Sequence, residues 1–137
     1  MAISKKNQPI VLSKKFNKIF DDHIERDGKL PKSFKKKWLK ALRSKKYTQG
    51  TRALRSVTKE CGTTYCCLGV ACHVAGASGL KGKGWIGNDN MFNIRIKSIN
   101  KVPTVLHGTT GIPSVLAYLN DRGKTFEQIA DVIEQKL

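Results

Sequence analysis

No run of apolar residues in this sequence approaches the roughly 18 to 20 that span a bilayer, and Met1 to Gln8 are polar where a secretory signal has its apolar stretch. The chain is therefore expected to stay in the cytoplasm in which it is made, with no membrane partner. In that compartment the four cysteines, Cys61, Cys66, Cys67 and Cys72, are kept reduced, and their even number is no sign of disulfides. Acidic residues are scarce too. There are 10 Asp and Glu against 26 Lys and Arg, a formal net charge of +16 that far exceeds what solubility asks of a small domain. Between Gly28 and Lys59 acid is missing altogether while twelve basic residues are present, whereas from Cys61 onward eight basic residues meet five acidic ones. The charge is polarised along the chain. Internal repeats and low-complexity tracts are lacking as well.

What is present suits one folded domain: 137 residues, 39% of them hydrophobic and spread along most of the chain. Residues 1–12 read as a flexible arm and 13–137 as the domain. Ser13 as a cap, the stripe Phe16, Ile19, Phe20 and Ile24, and a stop at Gly28 predict a helix over 13–27. A second helix is predicted over 33–45, with Phe34, Trp38, Ala41 and Leu42 on one face and lysines around the rest. Two β-prone runs, Ala53 to Val57 and Thr63 to Cys67, flank a polar Gly-containing connection and predict a hairpin. Leu68 to Ala77 is apolar nearly all round, as a buried helix is, and a Gly- and Asn-rich loop follows from Lys81 to Asn90, pinned by Trp85 and Ile86. Phe92 to Ile96 and Val102 to Leu106 are short strand candidates. Pro113 opens a helix carrying Val115, Leu116 and Leu119 that stops at Asp121-Arg122-Gly123, and Thr125 with Gln128 forms a capping box for a last helix whose Phe126, Ile129, Ala130 and Ile133 face the core.

Chemistry-bearing residues are few. The cysteines run C-x4-C-C-x4-C beside His73, not the paired CxxC of a structural zinc site, so they are read as core thiols with metal binding as the alternative. A catalytic thiol at Cys66 or Cys67, paired with His107, is a further alternative that no spacing fixes. Gly82 to Gly87 lacks the Gly-Lys-Ser/Thr ending of a phosphate-cradling loop. The C-terminal helix pair has the outline of a helix-turn-helix, yet its last helix offers Glu127, Asp131 and Glu134, and an acidic face repels phosphate; a packed helical hairpin is the better reading.

Three motifs carry a resemblance. Trp38-Leu39-Lys40-Ala41-Leu42-Arg43-Ser44 with Tyr47 and Gln49-Gly50, then Tyr65-Cys66-Cys67-Leu68-Gly69-Val70-Ala71-Cys72, then Leu119 to Asp131 with its Leu-Asn-Asp-x-Gly-x-Thr-Phe core, together resemble a family of small uncharacterised proteins of tailed phages and prophages. The likeness runs over roughly residues 31 to 137 with the variable middle excluded. It implies a phage origin, an accessory role and a shared fold.

The sequence thus predicts an α+β domain: N-terminal helices and a C-terminal helical hairpin packed around a small antiparallel sheet and a buried Cys-rich helix. The function expected is a non-enzymatic accessory protein, without cofactor or metal, that binds nucleic acid or another polyanionic surface in the host cytoplasm. Lys32, Lys35, Lys36, Lys40, Arg43, Lys45, Lys46, Arg52 and Arg55 are the contact residues, with Tyr47 and Gln49 beside them. Two alternatives stand: a virion-associated or host-factor-binding protein docking on an acidic protein surface, and a binder of a small ligand such as a nucleotide that acts against host defence. The oligomeric state is not legible.

Overall fold

Ser13 starts the helical architecture: its Oγ accepts from the Phe16 N–H (3.2 Å), and the helix it caps, α1 (Lys14–Asp27), ends at Gly28 in a positive-φ conformation (φ 83) that a side chain would resist. The computed structural model describes residues 8–51, 54–76, 102–106 and 111–137. Of the stretch read as an arm, residues 8–12 lie against the body of the protein. Gln128 Nε2 donates to the Gln8 carbonyl (2.7 Å), Asn17 Nδ2 donates to that of Leu12 (3.2 Å), and Ile10 and Leu12 pack on the core.

Helix α2 (Lys32–Arg43) ends two residues earlier than the predicted 45, because Ser44 closes its last turn and Lys45 has φ 63, outside helical space. It lies between two other helices, α3 (Cys67–Val74) and α5 (Phe126–Lys136). One apolar stripe cannot serve two neighbours. Trp38 is fully buried and its Nε1–H donates to the Cys67 carbonyl on α3 (3.1 Å), while Leu39, absent from the predicted stripe, is buried as well.

The predicted hairpin is present as β2 (Arg55–Thr58) and β3 (Gly62–Tyr65), paired antiparallel with Arg55 opposite Tyr65. Residues 59–61 and Gly62 at φ 68 make its turn. The two-residue β1 (Thr48–Gln49) adds to the other edge of β3 in parallel, Thr48 beside Thr64 and Gln49 beside Tyr65, so the sheet is mixed, in the order β1-β3-β2. The fold is α+β.

Cys66 caps α3 by accepting from the Gly69 N–H through its sulfur (3.4 Å), and every residue from Cys66 to Cys72 is buried. Gly69 meets the hairpin's approach so closely that a Cβ there would collide with the Leu54 carbonyl. Val102 to Leu106, predicted as a strand, is instead a 3-10 turn over Thr104–Leu106. Pro103 has no N–H to give to a sheet ladder, and its carbonyl accepts from Leu106 N–H (3.0 Å). Helix α4 (Ile112–Asp121) has Pro113 in its first turn, and the buried His23 of α1 accepts the otherwise orphaned Ile112 N–H through Nδ1 (3.1 Å). The capping box of α5 is complete, Gln128 N–H to Thr125 Oγ1 (3.2 Å) and Thr125 N–H to Gln128 Oε1 (2.9 Å), and Phe126, Ile129, Ala130 and Ile133 are buried as predicted.

At the centre of the polar core stands Asn120, 1% exposed. Its Oδ1 accepts from the Cys67 N–H (3.1 Å) and from Gln49 Nε2 (3.0 Å), and its Nδ2 donates to the Gly50 carbonyl (2.8 Å). Gln49 continues outward, giving Nε2–H to the Lys124 carbonyl (2.7 Å) and accepting from Phe126 N–H (3.1 Å). Two amides, those of Asn120 and Gln49, thus tie β1, α3, α4 and the start of α5 together. The strand candidate Phe92 to Ile96 and the Gly-rich loop with Trp85 lie outside the described residues.

Candidate nucleic-acid interface

The 3.6-residue period of α2 sorts its cations into two sets. Lys35, Leu39 and Arg43, four residues apart, form the edge facing α5. Lys35 Nζ donates to the Glu134 carbonyl (3.0 Å), and Arg43 Nη2 reaches both Asp131 Oδ1 (2.8 Å) and Glu134 Oε2 (2.9 Å). The guanidinium is held above its ordinary pKa, chiefly by the Glu134 hydrogen bond, and Glu134 is held below the usual carboxylate range by the same contact. These two cations of the predicted contact set are therefore engaged within the molecule. The acidic face read as repelling phosphate is correspondingly offset in part, Asp131 and Glu134 sharing the one charge of Arg43.

The second set points to water. Lys32, Lys36 and Lys40 are exposed along the other edge of α2, with Lys37 beside them, and Lys45 and Lys46 are exposed in the loop that follows. Among the described residues no carboxylate pairs with any of these six. Arg55 lies on β2, half-buried opposite Tyr65, and Arg52 lies outside the described residues.

Immediately after Lys46 the chain brings in an aromatic group that the sequence did not announce. Tyr47 meets Tyr65 edge-on (centroids 5.1 Å apart) and His73 edge-on (5.5 Å), and the rings of Tyr65 and His73 lie 28° from parallel at 5.8 Å. Tyr47 Oη and His73 Nδ1 share a hydrogen bond of 2.7 Å. Burial, with Tyr65 nearby, raises the Tyr47 pKa, so the ring stays a neutral phenol. Tyr47 and Tyr65 are half-buried and His73 is exposed. Three segments supply the three rings, and the only sequence signal was the small β and helical elements that deliver them.

The cysteines are differently disposed. Cys61 is exposed in the hairpin turn; Cys66, Cys67 and Cys72 are buried free thiols. Desolvation pushes the Cys66 thiol up to about 11 and the other two buried thiols up as well, the reverse of what a nucleophile requires. His107 lies outside the described residues. Among the described residues no three His, Cys, Asp or Glu side chains cluster as metal ligands, and no helix is long and apolar enough to cross a membrane. A shallow cleft of about 560 Å³ between α1 and α4, lined by Phe16, Ile19, Val115 and Tyr118, has Lys15 as its charged side chain.

The family model of a domain of unknown function, DUF8296, matches residues 30–85, a stretch that begins just before α2 and takes in the sheet and α3. No curated protein and no solved structure matches the chain.

Proposed function

We propose that this protein binds nucleic acid without catalysing a reaction, through the solvent edge of α2 and the loop after it, and that it serves as an accessory protein of a tailed phage. The observation that carries the binding reading is the exposed row Lys32, Lys36 and Lys40, extended by Lys37, Lys45 and Lys46, with no carboxylate partner among the described residues. A molecule with α5 carboxylates at hand uses them on Arg43 and leaves this row bare, so its field is available to a polyanion. Contacts of this kind are made to phosphates and give largely sequence-independent affinity. The phage origin is supported by the three motifs alone.

The test is a fluorescence-anisotropy titration with labelled DNA and RNA. Binding is expected at about 50 mM salt, and log affinity should fall linearly with log salt at a slope set by the number of phosphates neutralised. No binding at that salt refutes the reading. Equal binding to polyglutamate and to DNA transfers it to an acidic protein surface.

A further inference from the structure

The aromatic group beside the lysines has more surface open than core packing needs. Packing explains the inner edges of Tyr47 and Tyr65, which rest against the core. It does not explain His73, whose ring is exposed in the last turn of α3 yet is held in place by the 2.7 Å bond to Tyr47 and by Tyr65. His73, stacked on Tyr65 and bonded to Tyr47, is thus an exposed aromatic ring held in one orientation, with half-buried rings behind it. Water solvates such faces poorly, and a planar apolar ligand gains by covering them. The cations about them are Lys45 and Lys46, directly before Tyr47, and Arg55, opposite Tyr65 across the hairpin.

We infer that Tyr65 and His73, braced by Tyr47, form a stacking platform for an unpaired base, and that the nucleic acid this protein prefers is single-stranded. The inference rests on the nucleic-acid reading above and narrows it. Bases within a duplex are already stacked on one another and hidden from a protein surface, so a platform of this kind adds affinity only where a base is splayed out. The lysine row holds the phosphates of either form; the rings discriminate between them. Because every base has a π face, the preference is for strandedness and not for sequence.

The experiment uses the full chain with an oligothymidine of about 20 nucleotides and a duplex of the same length, at one salt concentration. The wild type should bind the single strand at least about tenfold more tightly. His73→Ala, an exposed truncation, should weaken single-strand binding by about 5-fold or more, the lower end of one lost base stack, and leave duplex binding unchanged. Lys36→Glu with Lys40→Glu should weaken both. Should His73→Ala or Tyr65→Leu unfold the protein, photocrosslinking of the wild type to a strand carrying 5-iodouracil replaces them, with the crosslink expected on Tyr65, Tyr47 or His73. Equal affinity for both forms, or crosslinks elsewhere only, overturns the platform while leaving the lysine face standing. Absence of binding to either form overturns both.

Discussion

Replacing Asn120 by Ala removes one amide that joins three segments, β1, α3 and α4, which makes the polar core the sharpest place for a perturbation. Three groups depend on that side chain: the Cys67 N–H, the Gly50 carbonyl and Gln49 Nε2. Gln49 Nε2 keeps a second acceptor, the Lys124 carbonyl. The Cys67 N–H is at the first position of α3, where no intrahelical acceptor exists, and it is buried; the Gly50 carbonyl receives its bond from Asn120. Two backbone groups are thus stranded, at about 1–3 kcal/mol each, so the substitution should cost about 3–5 kcal/mol of the roughly 5–15 kcal/mol that holds a domain of this size. Urea denaturation followed by far-UV circular dichroism reads the loss directly. Gln49→Ala in the same background should be non-additive by about 0.5–3 kcal/mol, since it shares a hydrogen bond with Asn120. A cost below about 1 kcal/mol for Asn120→Ala, or strict additivity with Gln49→Ala, would refute the idea of a single clasp.

Trp38→Ala should cost about 3–5 kcal/mol, because it empties a fully buried site and leaves the Cys67 carbonyl without its indole donor, whereas Lys36→Glu with Lys40→Glu should shift stability by no more than about 0.5 kcal/mol per site while weakening nucleic-acid binding; thermal melts set beside anisotropy separate the two, and a double reversal that binds normally would show the lysine row to be a solvated face. The buried thiols make the fold sensitive to alkali. In the unfolded chain they ionise from their ordinary value of 9.0, in the fold Cys66 does so only near 11, and between those limits the native state holds protons that the unfolded state has released. Stability should therefore be full below pH 9 and fall above it, by about 1.4 kcal/mol per pH unit for each such thiol, and Cys66→Ala should lose less; urea midpoints that do not move between pH 8 and pH 10 would contradict the burial of these sulfurs.

Much of the helical framework was legible because its signals are local. Ser13 and Gly28 delimit α1, and Thr125 with Gln128 opens α5, by bonds that close within three or four residues. Sequence patterns failed where the partner is remote. Leu39 is buried because α2 has a second neighbour, α5, that a single stripe does not anticipate. Strand β1 is two residues long and exists only by pairing with β3, a contact that its own sequence cannot encode. The lysine-rich character of the surface was visible, but not which cations would be used internally: Lys35 and Arg43 look like Lys36 and Lys40 until α5 is placed. Likewise Asn120 was read only as a motif letter and Gln49 also as a neighbour of the contact residues, whereas its amide is engaged inside the protein; a buried amide announces itself by its partners and not by its neighbours in the chain.

The bond from Arg43 to Asp131 and Glu134 sets more than the packing of two helices. Its direct contribution to stability is small, for an arginine whose side chain is 35% exposed is screened by solvent. What it does is offset charge along the row of α2 that faces α5 while the adjacent, solvent-facing row keeps all of its own, so the charge of this helix is uneven around its axis. A polyanion approaching such a body exerts a torque as well as a pull. For the nucleic-acid partner proposed above, encounters would be biased toward the lysine row, shortening the search over orientations that slows most macromolecular docking.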